Sequence, residues 1–558
     1  MTVARQLLTY WIIFVSLFVK SFQDCEYVEK SFKCAGGDDK SLMFDFNSKN
    51  TNGVQVEELV FSKLPLSSIE HFLEALPEDV KDSTKIIRIN ECEVSDISEN
   101  IKDNYKNLQA LDLSRNIIDS LGVITKLSED LKELYLSNNK ISEVTDDLKQ
   151  LQQLEVIDLS YCKLTTLDFT VFKNNLHLTL VNVSHNEIET SDSQEYIKNI
   201  KCVDLSYNKI SKYTNIPSLC LDLSYTDMPG HHWYNISEQN KTVFIDKFYF
   251  SGNSKLKLWA TNVKNDSLPI EIKYFNLSYF KGDLSELDLE KIKVRNFLTL
   301  QHTNIGNLDR SKYDFHPLFF EKGSNATFDL SYCSISDISS DYFQNYNLGR
   351  LNLCHNNFTV LKNSVFKDAY IVQLDLCSCG IKEIEDNAFL NLHVAALNLS
   401  NNQISNLKFL SNVNTVRYVD LSKNSIKTVY SRDLAYLKDL RNINLGDNSI
   451  IVIERNSFAL DNLNIVDLSN NKLREIKNGT FVNITTLQEV YLDGNIIENI
   501  ENDSFEYLPA LRTVNLGDTD IYVIKQKAFS NVQSQNFNEI YLKNNKVNDL
   551  HLVCKIFK

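Results

Sequence analysis

The chain has 558 residues, 43% of them hydrophobic, with a formal net charge of −15 and 11 cysteines. That hydrophobic share excludes a chain disordered by composition. The acidic balance, with no basic block, argues against nucleic-acid binding, which needs phosphate-neutralising Lys and Arg. It also argues against a polybasic membrane anchor.

Residues 1–21 carry Arg5, an apolar run from Leu7 to Val19 and the small Ser21. This is the order of a signal peptide, and the run is short for a spanning helix. No later stretch is long and apolar enough to cross a bilayer, so the expectation is a secreted, extracellular protein with no membrane anchor. Ten sequons fit that route as candidate N-glycosylation sites: Asn182, Asn235, Asn265, Asn276, Asn325, Asn357, Asn398, Asn478, Asn483 and Asn502.

Residues 22–83 read as an N-terminal cap region, and a repeat domain follows over 84–552. Compare LQALDLSRNIIDSL from Leu108, LKELYLSNNKISEV from Leu131, LNIVDLSNNKLREI from Leu463 and LQEVYLDGNIIENI from Leu487. Each fits LxxLxLxxNxL. Indexed by the third apolar position, the frame recurs from Ile89 and Leu113 to Leu516 and Leu542, about 20 times. The step is mostly 22 to 24 residues on both flanks and irregular across a middle of about 211–347. Side chains alternate along a strand, so in LxL both leucines point inward. A single such strand cannot bury its apolar face alone, and stacked neighbours must do so. The Asn turns the chain, and its amide can bond backbone groups in adjoining turns. Phe366, Phe389, Phe458, Phe481, Phe505 and Phe529 are expected to fill the returning arc. The fold class is therefore an α/β solenoid, a horseshoe whose concave face is a parallel sheet. Residues 553–558 form a short tail.

These motifs resemble the extracellular leucine-rich repeat family in its longer-repeat class. The chain is similar to the secreted leucine-rich immune proteins of insects and to Toll-type receptor ectodomains. The resemblance implies a non-enzymatic recognition or scaffold protein, most readily of innate immunity, that works by protein–protein binding. A cell-adhesion or matrix protein and a soluble receptor-like decoy are the alternatives. It also implies a cysteine-bearing N-cap, with Cys25 and Cys34 as its candidate disulfide.

The other cysteines sort by repeat position. Cys92, Cys162, Cys333 and Cys379 take the Asn slot and read as buried thiols. Cys354 and Cys377, one residue past LxL in successive repeats, lie within disulfide reach of each other. Cys202 and Cys220 form a second candidate pair at an 18-residue step. Cys554 is left over. In a secreted protein that suggests pairing with another chain, giving a homo- or heterodimer; pairing within the cap stays open. His355 beside Cys354, Cys377 and Cys379 does not make four convergent metal ligands. The His231–His232 pair reads as a solvated loop. No HExxH, GxSxG or Gly-rich phosphate loop occurs, so neither a cofactor nor catalysis is expected.

The residue between the two inward leucines faces the concave side. It supplies the candidate binding ladder: Asp112, Tyr135, Asp158, Asp204, Asp375, Asp420, Asp467, Tyr491 and Tyr541. Its acidity favours basic partner surfaces and disfavours anionic ligands. Asn182, Asn276 and Asn398 also fall on this ladder, where glycans would crowd it.

Overall fold

Each repeat contributes one short strand, and each strand adds one rung to a parallel sheet. The computed structural model describes residues 25–28, 30–35, 56–64, 66–98, 100–192, 200–210, 212–213, 220–226, 231–234, 243–254, 258–261, 270–286, 292–313, 315, 325–532 and 539–546. They divide into two units, Met1–Leu268 and Pro269–Lys558.

The first unit opens on a hairpin. β1 (Cys25–Val28) runs antiparallel to β2 (Ser31–Ala35), with Cys25 opposite Cys34 in backbone register. β2 then runs parallel to β3 (Glu58–Ser62), and β3 to β4 (Ile86–Asn90). β3 lies inside the expected cap region, and its Leu59 and Phe61 are as buried as Ile87 and Ile89 on the next rung. Its frame was hidden because Leu64, not Asn, sits at the turn. From β4 the rungs continue in parallel through Ala110–Asp112, Glu133–Tyr135, Val156–Asp158, Leu180–Asn182, Cys202–Asp204, Cys220–Asp222 and Val243–Tyr249.

The second unit stacks Ile270–Asn276, Ile292–Thr299, Thr327–Asp329, Asn347–Asn352, Tyr370–Asp375, Ala396–Asn398, Tyr418–Asp420, Asn442–Asn444, Ile465–Asp467, Glu489–Tyr491, Thr513–Asn515 and Glu539–Tyr541. The irregular middle keeps the sheet and widens its rungs. Ile270–Asn276 and Ile292–Thr299 have seven and eight residues, and their register shifts between Ile272 and Tyr274. At the rung Asn347–Asn352 the backbones close in, and a Cβ on Gly349 would lie 2.6 Å from the Asn325 carbonyl oxygen. The expected loop around His231–His232 is instead the strand His231–Tyr234, parallel to Leu258–Thr261.

The α component of the expected fold class is small. Among the described residues, helices are confined to Leu66–Ala75, Glu78–Ser83, Asn100–Asn104 and Ser431–Leu434. Elsewhere the arc is made of 3₁₀ turns such as Asp146–Gln150 and of two-residue parallel pairings such as Val360–Leu361 with Glu383–Ile384. A repeat of this length leaves too few residues after strand and turn for a multi-turn helix. The fold is a mostly-β, helix-poor solenoid.

Two internal columns hold the rungs together. On the arc side, Phe458, Phe481, Phe505 and Phe529 stack with centroids 5.5, 5.1 and 4.7 Å apart and planes within 15°. Phe343, Phe366 and Phe389 form a second stack at 5.4 and 5.8 Å. At the turn runs a ladder of buried asparagines. Asn471 Nδ2 donates to the Leu445 and Leu468 carbonyls at 2.9 and 3.0 Å, and Oδ1 accepts from the Ile450 N–H at 2.9 Å. Asn448 and Asn402 repeat this pattern.

The four cysteines in the Asn slot take over its donor role. Cys162, Cys333 and Cys379 direct Sγ at the carbonyls of Leu136, Leu300 and Leu353 on the preceding rung, at 3.4, 3.0 and 3.1 Å. Cys92 reaches the Phe61 and Asn90 carbonyls. Burial pushes the thiols up, to about 11 for Cys162 and about 12 for Cys333 and Cys379. Asn471→Ala is therefore expected to cost about 2–3 kcal/mol, since it orphans one buried donor and leaves the Leu445, Leu468 and Ser469 carbonyls short. Asn471→Cys should cost clearly less. Urea unfolding followed by circular dichroism reads both, and equal losses would refute the thiol's donor role.

Candidate recognition surface

The solvent-facing side of the sheet is built from two side-chain positions per rung, on either side of the inward residue. Their backbone partners lie in register, so each position forms a column. In the second unit one column runs Asp329, Asn352, Asp375, Asn398, Asp420, Asn444, Asp467, Tyr491, Asn515, Tyr541. An open trough of about 370 Å³ lies over this column between Asp375 and Tyr491, flanked by Gln373, Tyr418 and Asn442.

The acidic ladder is not uniform. Asp112 is met by Arg88 at 3.5 Å and by Asn90 Nδ2 at 3.2 Å. Asp375 is only 3% exposed and bonds Arg350 Nε at 2.7 Å. Both arginines sit on the preceding rung: Arg88 is the register partner of Asp112, and Arg350 lies one position before the inward Leu351, diagonal to Asp375. That neighbour relation appears only once rungs are aligned. Asp158, Asp204, Asp420 and Asp467 instead each accept the N–H of the serine two residues on, at 2.9 Å. One carboxylate oxygen is thereby fixed to the turn.

The ladder tyrosines are tied to glutamates on their own rungs. Tyr135 donates to Glu133 at 2.9 Å, and burial together with this bond raises its phenol to about 12. Tyr491 donates to Glu489 at 2.7 Å, and that bond, with burial, also raises it to about 12. Tyr541 donates to Glu539.

The cysteine pairs separate. Cys354 and Cys377 are joined by a disulfide with Cα atoms 4.6 Å apart. Cys202 and Cys220 stand opposite each other in register, but as reduced thiols in hydrogen-bond contact, with the Cys220 thiol pushed up by burial and by Cys202. Cys202 and Cys220 lie within their strands, whereas Cys354 and Cys377 lie past the strand ends. Cys554 lies outside the described residues, as do Asn235 and Asn265. Among the described residues no three His, Cys, Asp or Glu side chains gather to hold a metal ion, and no helix is long and apolar enough to cross a membrane.

Of the concave sequons, Asn182, Asn276 and Asn398 are half-buried, each with Oδ1 accepting a serine N–H at 2.9–3.0 Å. Asn325, Asn357, Asn478, Asn483 and Asn502 are exposed.

The family model described as the BspA type leucine rich repeat region, in six copies, matches residues 291–417 and 402–536, and the Leucine rich repeat model matches 106–164. Together they cover more than half of the chain. It is a leucine-rich repeat protein. Relatives of this leucine-rich repeat protein include the adenylate cyclase of Schizosaccharomyces pombe, 24% identical over 72% of this chain and 24% of its own length. Mouse lumican is 28% identical over 40% of this chain and 62% of its own length. The chain thus spans less than two thirds of either relative. The solved TLR13–ssRNA13 complex aligns with 95% of this chain and 72% of that one, at a TM-score of 0.53 and 20% identity, a likeness of fold.

One titration on this surface is testable. Asp204 and Asp222 are opposed in register, and burial plus the Asp204 charge raises Asp222 to about 6. The folded value is above the ordinary carboxylate value, so the ionised form destabilises the fold above pH 6. That penalty is relieved as pH falls toward 4. Asp222→Asn is expected to stabilise the chain by about 2 kcal/mol at pH 7. The gain should shrink between pH 6 and 4. Unfolding curves of both proteins across that range check it, and a gain independent of pH would contradict it.

Proposed function

We propose that this leucine-rich repeat protein is a secreted recognition or scaffold protein of innate immunity that holds a protein partner on its concave face. The reading rests on the trough over Asp375–Tyr491. It is a broad, shallow polar strip of carboxylates, amides and tyrosines on a rigid sheet, without convergent catalytic groups, and Tyr-bearing surfaces of this kind suit protein partners. Export is supported by the apolar run Leu7–Val19, by the exposed sequons and by the Cys354–Cys377 disulfide, a bond typical of oxidising compartments. The net charge of −15 speaks against carrying over the RNA named with TLR13. Cys554 supplies a covalent handle for a second chain in this proposal.

The test uses the full chain exported from cultured cells and incubated with extracellular fluid from its source. A protein captured by wild type should be bound at least tenfold more weakly by Asp420→Lys/Asp467→Lys, since reversing two charges on a recognition face costs several kcal/mol. On non-reducing gels the native protein should run as a larger species that Cys554→Ser abolishes. Capture of immune-induced proteins supports the immune reading, and capture of matrix proteins moves the chain to the adhesion alternative. A protein that binds nothing and stays monomeric on both gels overturns the proposal.

A further inference from the structure

The position following the serine of each turn is left-handed along the array: Arg115, Asn138, Tyr161, His185, Tyr207 and Tyr225 all have φ between 53° and 59°. Asn accepts this backbone readily, whereas bulky side chains rarely adopt it. In the first unit four successive rungs nevertheless place aromatic rings here. Tyr161, His185, Tyr207 and Tyr225 stack with centroids 4.0, 4.1 and 4.4 Å apart and planes within 14°. The Tyr225 ring then lies over Gly252, where a Cβ would come within 2.3 Å of it. Tyr161 and Tyr207 remain 50% and 45% exposed. The faces cover one another, so solvent meets a ridge of hydroxyl-bearing and imidazole edges.

This ridge adjoins the acidic column. In the first unit the tetrad Asp-Leu-Ser-Tyr occurs at 158–161, 204–207 and 222–225. In each, Asp Oδ1 accepts the serine N–H at 2.8–2.9 Å, leaving the second oxygen of the carboxylate for another donor. Among the described residues none of the three aspartates forms an ion pair. We infer that the ridge of Tyr161, His185, Tyr207 and Tyr225, with Asp158, Asp204 and Asp222 beside it, is a docking surface for an arginine-rich segment of a protein partner. Guanidinium is planar, weakly hydrated and carries five donors, so it can lie against an aromatic ridge while bonding carboxylate and phenol oxygens. An ammonium is more strongly hydrated and fits less well. Burial and, after it, the Asp204 charge raise Asp222; such a cation offsets the charge repulsion. The inference rests on the reading of the chain as a protein-binding array, and places a second contact region in the first unit.

The test measures binding of fluorescein-labelled nona-arginine and nona-lysine to the full chain by fluorescence anisotropy at physiological salt. Wild type should bind nona-arginine severalfold more tightly than nona-lysine. Tyr161→Asn/Tyr207→Asn should weaken nona-arginine about tenfold, through loss of the phenol oxygens that accept from guanidinium, while leaving the melting temperature unchanged or higher, because Asn suits the left-handed turn. Asp204→Asn/Asp222→Asn should weaken both peptides. Equal binding of the two peptides, nona-arginine binding that survives the Tyr variants, or Tyr variants that lose stability in step with binding would each overturn the inference. None of these outcomes touches partner capture through Asp420 and Asp467, so the two readings fail separately.

Discussion

Everything in this molecule depends on how a turn satisfies its backbone. After each inward pair the chain must leave the sheet, and its carbonyls and N–H groups would otherwise be buried without partners. In most repeats the side chain of one asparagine solves this by donating to carbonyls of two rungs and accepting from an N–H of the preceding repeat, as Asn471 does. The bonds are between repeats as much as within them, so the ladder sets rung spacing. The phenylalanine stacks and the columns on the solvent face inherit that spacing. The interaction tolerates a poorer donor, as Cys333 and Cys379 demonstrate, because the carbonyl on the preceding rung is still met.

Strict spacing turns sequence position into surface position. A residue three places after a ladder aspartate always falls at the same left-handed corner, and residues at that corner in neighbouring repeats touch. This is why tyrosines and histidines far apart in the chain form a continuous stack, and why Arg350 finds Asp375. A solenoid can therefore acquire an extended recognition stripe by independent single substitutions, one per repeat, without altering its core.

The core was legible because it is periodic: the inward leucines, the asparagines and the arc phenylalanines each sit at fixed offsets, and stacking demands those residue types. The rung Glu58–Ser62 was not, since it lacks the asparagine and is followed by two helices rather than a short arc. The solvent face was only half legible. Which residues point outward follows from alternation alone. Which aspartates are neutralised depends on neighbours about 25 residues away, as with Arg88 and Asp112, and Cys202–Cys220 differs from Cys354–Cys377 in position relative to the strand end. The aromatic ridge had a visible signal, the recurring Asp-Leu-Ser-Tyr tetrad, which becomes meaningful once its last residue is seen to occupy a left-handed corner.

The thiols at Cys92, Cys162, Cys333 and Cys379 give the array a set of internal clocks. Each is buried at a known rung, and desolvation holds its sulfur in the unreactive protonated form. A buried thiol reacts with an alkylating reagent only when its own repeat opens. Because each rung is held chiefly by its two neighbours, opening is a local event with its own frequency. The four alkylation rates thus chart, without any engineered label, where along the solenoid the ladder loosens first.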